Sequence, residues 1–133
     1  MTTTSKATNV ALWIVSALLA GFFLAAGAAK LIGVFDEPFH GWGFPPEFPA
    51  MIGTIEIAGA FGLLFKRTAG WSSIALLAVV FGAAGIHLVH QDYMLLIAPA
   101  ALTVALGLVA WGRGTPWDTR AGDWPGAGPT FTP

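Results

Sequence analysis

The run Phe22-Phe23-Leu24-Ala25-Ala26-Gly27-Ala28-Ala29-Lys30-Leu31 decides how the chain is read. It closes an apolar segment that begins at Val10 and continues to about Phe35, and it carries a lysine. A charge near the centre of a membrane-length helix costs about 2.5–3.5 kcal/mol on insertion scales. A lysine there needs a partner or a route to the headgroups. Glu56 is the only acidic residue inside another apolar run, which makes Lys30 and Glu56 the first candidates for a pair.

Composition points to a bilayer as the solvent. Of 133 residues, 56% are hydrophobic and 10% charged, whereas a soluble domain carries about 25% charged residues. The length suits one domain. A net charge of −1 with no basic run gives no footprint for nucleic acid. The chain has no cysteine, so it offers no disulfide, thiol nucleophile or thiolate ligand to an iron–sulfur cluster. No dinucleotide-binding, P-loop, zinc-protease or serine-hydrolase motif is present. Lys6, the apolar stretch and Ala26-Gly27-Ala28 imitate a secretory signal. A signal's apolar region spans only about 7–15 residues, so a retained membrane helix is expected instead.

Four apolar runs stand out, at about 10–35, 48–65, 69–90 and 93–111. Each falls near the ~17–25 residues that span a bilayer, and none alternates with the period of two that marks barrel strands. The expected fold is all-α: an integral membrane four-helix bundle over 10–112, preceded by a short N-terminus at 1–9. It is followed by a Gly/Pro-rich tail at 113–133 that holds Trp117 and Trp124 and has no core of its own to bury. Lys6, Lys66, Arg67, Arg113 and Arg120 lie at one set of ends, and Asp36, Glu37, Glu47 and Asp92 at the other. The positive-inside rule then places both termini in the cytoplasm. Trp13, Trp71 and Trp111 fall near that face as an aromatic belt, with Tyr93 opposite. Short connections at 66–68 and 91–92 imply antiparallel neighbours. In the longer outer loop, 36–47, prolines and glycines are expected to bar a regular helix. Its Trp42 and Phe44 avoid water, and are expected to form a lid over the outer mouth of the bundle. Pro99 predicts a kink or break in the last helix.

The polar residues converge. Glu56 shares a helical face with Gly53, Gly59 and Ala60; Lys30 with Ala26 and Gly27; His87 with Ala83 and Ala84. Small residues mark close helix contact in membranes, so all three polar groups look into the bundle. Counted at about 1.5 Å per residue, they lie at a similar depth below the outer ends. His90 follows His87 by three residues, which adds it to the cluster. Two readings are open for Lys30, pairing with Glu56 or snorkelling to the headgroups. Glu56 is either paired or a neutral acid bonded to a carbonyl. Two histidines alone make no metal site, and none is expected.

Gly27-Ala28-Ala29-Lys30-Leu31 and Gly53-Thr54-Ile55-Glu56-Ile57-Ala58-Gly59-Ala60-Phe61-Gly62-Leu63-Leu64 resemble the first- and second-helix patterns of the DoxX family of small bacterial four-helix membrane proteins, its DoxX-like branch in particular. His87 sits where such proteins often have a polar third-helix end. Gly112-Arg113-Gly114-Thr115-Pro116-Trp117-Asp118 is loosely similar to their C-terminal ending. The resemblance implies a bacterial inner-membrane location and a link to membrane oxidoreductase systems, some of which act on thiosulfate and quinone.

Two functions follow as expectations. One is a redox-linked subunit in which Lys30, Glu56, His87 and His90 hold the head of a quinone-like or isoprenoid ligand. The other is a non-catalytic accessory subunit in which Lys30–Glu56 is a lock and the loop and tail dock on other membrane subunits. A transporter ranks last, because one four-helix chain is too small for the usual repeat architecture. Reporter fusions test the topology: a fusion at the C-terminus should report the cytoplasm and one within 36–47 the opposite side.

Overall fold

The computed structural model of the chain describes residues 5–114. The tail with Trp117, Arg120 and Trp124 lies outside the described residues. Four long helices form the body: α1 (Lys6–Leu31), α3 (Phe48–Leu63), α4 (Ala69–Val89) and α5 (Ile97–Arg113), with a short α2 (Asp36–Gly41) between the first two. α1 packs against α3, α3 against α4, α4 against α5, and α5 back against α1, which closes a ring. Leu19 and Phe23, Ala60 and Leu63, Leu76 and Val80, and Leu106 and Val109 fill its centre, two from each helix. The outward residues, among them Leu18, Phe61, Phe81 and Val104, are exposed and apolar, as lipid requires. Trp13, Trp71, Trp111 and Tyr93 also lie on the outside.

The helices do not all keep the expected bounds. α1 stops at Leu31 because Gly33 takes φ +85 and closes a Schellman cap. In that cap Val34 N–H donates to the Ala29 carbonyl and Gly33 N–H to the Lys30 carbonyl. The 36–47 loop contains a helix after all, contrary to the expectation from its prolines. Pro38 is the third residue of α2, where the missing N–H has no intrahelical partner to lose. Asp36 and Glu37 suit the positive helix start. Gly43 at φ +86 ends α2 by the same cap. The last run divides into a 3-10 turn, Tyr93–Leu96, and α5. Pro99 then falls in the first turn of α5, after the break and not in a helix interior.

Three spans, Lys6–Leu31, Ala69–Val89 and Tyr93–Arg113, are long and apolar enough to cross a membrane. α3 has 16 residues, about 24 Å at 1.5 Å per residue, short of the ~30 Å hydrocarbon core. The chain is a multi-pass membrane protein in which α3 is the short member.

Glycines set how α3 lies. Near the end that holds Asp36, Glu47 and Asp92, called here the acidic end, it touches α1 backbone to backbone. A Cβ on Gly53 would stand 2.7 Å from the Gly27 carbonyl oxygen, and a Cβ on Gly27 2.7 Å from that of Gly53. Toward the basic end it closes on α4 instead. A Cβ on Gly59 would meet Leu76 at 2.7 Å, and one on Gly62 would run into Ser72. α3 thus leans on α1 at one end and on α4 at the other, and a wedge opens between α3 and α4 toward the acidic end. Arg113 fastens the basic end of the ring. Its Nη1 donates to Asn9 Oδ1 at 2.9 Å, and its guanidinium lies 4.6 Å from the Trp13 ring centroid.

Gly53→Val should force α1 and α3 apart and lower stability by at least the ~1–3 kcal/mol typical of overpacking. Gly21→Ala, where an added Cβ meets nothing within 4 Å, should change it by less than about 0.5 kcal/mol. Thermal unfolding in detergent followed by circular dichroism compares the two.

Candidate functional site

The contact between Gly27 and Gly53 sets what lies one turn further along each helix. Lys30 follows Gly27 by three residues and Glu56 follows Gly53 by three, so both side chains emerge beside the closest approach of α1 and α3. Lys30 Nζ donates to Glu56 Oε2 at 2.9 Å and to Oε1 at 3.1 Å. Only 12% of the Lys30 side chain and 6% of the Glu56 side chain are exposed. Of the two readings open for Lys30, the structure shows pairing. The ammonium also sits 5.0 Å from the centroid of the Phe35 ring, which a cation favours. An ammonium has three N–H donors, and the carboxylate takes two.

The pair lies at the head of a cavity of about 790 Å³ within the wedge. Ile52, Ile55 and Glu56 of α3 form one wall, and a stripe of α4 from Ala75 to His87 forms the other. The walls are apolar except for Lys30, Glu56 and His87. His87 Nδ1 is buried without a hydrogen-bond partner. Ser73, by contrast, bonds the carbonyl of Ala69 in its own helix and lies outside the lining.

An aromatic cluster covers the acidic end. Phe39 of α2 is buried and meets Trp42, Phe44 and Phe48 at centroid distances of 5.3, 5.8 and 5.8 Å. Phe44 stacks on Phe48 at 4.4 Å. Trp42 stands edge-on to His87 at 6.1 Å and tilted against His90 at 5.9 Å. Trp42 and Phe44 both line the cavity.

Of the four residues singled out from the sequence, three meet at the cavity and one does not. His90 caps α4, is exposed, and does not line the cavity, although its ring lies 5.9 Å from that of Trp42. The i, i+3 spacing correctly put it one turn beyond His87, but that turn is already outside the wedge. Among the described residues no group of three metal-ligating side chains comes together. Phe35, Phe39 and Phe48 are part of the site, although their sequence signal is only that of any aromatic near a membrane interface. The small residues Ala75, Ala78 and Gly82 were equally silent, since alanine and glycine also mark ordinary helix contacts.

Together these features define a multi-pass α-helical membrane protein with a polar-capped cavity inside the bundle. The model of the DoxX-like family matches residues 14–110, a stretch that holds both members of the ion pair and the whole cavity. The chain belongs to that family. No curated protein and no solved structure matches it.

A double-mutant cycle measures the pair. Lys30→Met leaves a buried carboxylate alone and should cost about 3–5 kcal/mol, whereas Glu56→Gln keeps volume and a hydrogen bond and should cost less. The double variant should recover much of the Lys30→Met loss. Strictly additive changes in thermal unfolding would mean that the two residues do not interact.

Proposed function

We propose that the cavity holds the head of a quinone-like or isoprenoid amphiphile and that the chain serves as a subunit of a bacterial inner-membrane oxidoreductase system. The observation that carries this reading is the pairing of an apolar cavity with an ion pair and an unpartnered buried imidazole nitrogen at one end. About 790 Å³ lies within the ~300–1,000 Å³ of small-molecule sites, which are mostly apolar with a few placed polar groups. The residues fit a quinone head. The third N–H of Lys30 suits a carbonyl oxygen, the unpartnered Nδ1 of His87 suits a carbonyl or a hydroxyl according to its tautomer, Trp42 and Phe39 offer flat apolar surface, and Glu56 can exchange a proton with a hydroxyl. A quinone, when bound, supplies two-electron, two-proton redox capacity. The chain's own residues orient the head, keep water out through the aromatic cover and carry protons. With no cysteine and no cofactor-binding motif in this sequence, electrons would come from a partner subunit. The positive-inside pattern would put the aromatic-covered, acidic end of the cavity on the side away from the cytoplasm.

The two-pronged contact of Lys30 on both Glu56 oxygens favours a second reading, an accessory subunit in which the pair is a lock. Mass spectrometry of lipid extracted from protein purified in mild detergent separates them. The ligand reading expects an isoprenoid quinone near one per chain, reduced about tenfold in His87→Phe, as loss of one hydrogen bond of ~1.4 kcal/mol would give. An extract free of quinone, or a Lys30→Met, Glu56→Gln double variant that retains the wild-type amount, would favour the lock.

A further inference from the structure

The cavity is closed toward the acidic end and open sideways. Phe39, Trp42, Phe44 and Phe48 interlock across the end. Ile55, Ala75, Ala78 and Gly82, in contrast, line the cavity and are still exposed, so the wall between α3 and α4 is incomplete there. Ala75, Ala78 and Gly82 lie in a span long and apolar enough to cross a membrane, and Ile55 in the shorter apolar helix beside it, so in a bilayer the gap would face acyl chains. The gap exists because α4 carries alanine and glycine along this stripe and because α3 leans away to meet α1 at Gly53. A Cβ on Gly82 would meet nothing within 4 Å, so the space beside it is real. From His87 to Ala75 the stripe runs twelve residues, about 18 Å along the helix axis. That is longer than a single ring and suits a head with a chain behind it.

We infer that the α3–α4 wedge is a lateral portal. The ligand is an amphiphile dissolved in the bilayer, its head at Lys30, Glu56 and His87 and its tail laid along Ala78 and Gly82 and out into the lipid. This rests on the proposed ligand reading and adds the route and the substrate class, a tailed molecule taken from the membrane in place of a small solute taken from water. The aromatic cover is then a fixed wall of the head site. Ala78 and Gly82 determine specificity by leaving room for a chain.

The test uses two probes, a dimethoxy-methyl-benzoquinone ring without a tail and the same ring carrying a decyl chain. Their affinities for the purified full-length protein in maltoside micelles are measured by calorimetry, for wild type, Ala78→Leu, Gly82→Leu and Gly85→Leu. Gly85 is also on α4 and open to an added Cβ, but it does not line the cavity. Partition of the tail into the micelle is common to all four proteins and cancels between them. Wild type and Gly85→Leu should prefer the tailed probe by the same factor. In Ala78→Leu and Gly82→Leu that preference should fall about tenfold, the worth of roughly two buried methylenes, with affinity for the tailless ring unchanged. Thermal unfolding of each variant confirms that it is folded. An unchanged preference in both portal variants, or an equal fall in Gly85→Leu, would overturn the lateral portal and leave the head site standing. If neither probe binds wild type, the ligand reading itself falls, and the portal with it.

Discussion

The bundle is organised by a charge that lipid does not tolerate. An isolated ammonium or carboxylate within the hydrocarbon is costly, and this chain carries one of each at matching depth. Gly27 and Gly53, one turn away from the pair, bring the two backbones into contact and hold the two side chains in register. Close packing and ion pairing are therefore one constraint. The glycines bring α1 and α3 together, and the pair penalises any slippage that would leave either charge alone. In a membrane, where apolar side chains gain little by leaving lipid for protein, such a lock holds register better than the leucines around it can.

The same contact has a geometric consequence on the far side of α3. A short helix drawn to α1 at one end and to α4 at the other cannot pack evenly on both. The mismatch collects where Ile52 and Ile55 face Ala78, Val79 and Gly82, and it is left as a cavity. Larger residues on α4 would fill it. The small residues on α4 keep it open, so packing and site come from one sequence choice, with glycines on α3 that set its lean and small residues on α4 that decline to fill the gap.

The parts of this arrangement that were legible in the sequence are those with a large energetic signature. Four apolar runs, an intramembrane lysine and a glutamate among small residues each announce themselves, because the alternatives cost several kcal/mol. The features missed have weak or shared signatures. Gly33 reads as one more glycine in an apolar run, although its positive φ ends α1 about one turn before the hydropathy fades. Pro38 reads as a helix breaker, although in a first turn it breaks nothing. His90 reads as a partner of His87, because spacing fixes the face of a helix and says nothing about where the neighbouring helix stops. The lean of α3 is a property of pairs of helices, and no single run encodes it.

The polar groups of the bundle also sort by how completely they are satisfied. Ser73 is fully buried, yet its hydroxyl returns a hydrogen bond to its own helix and asks nothing of its surroundings. Arg113 spends one arm on Asn9 and its face on Trp13, while its Nη2 is buried without a hydrogen-bond partner, as is the Ser16 hydroxyl. His87 has no comparable outlet for its buried Nδ1, and an unmade hydrogen bond of this kind costs about 1–3 kcal/mol. The histidine is not held there by packing need, since a phenylalanine would present the same edge-on surface to Trp42 without the cost. An imidazole nitrogen left unpaired on the wall of a cavity makes sense if the space is meant to be occupied, by a molecule with a hydrogen-bonding head and apolar surface behind it.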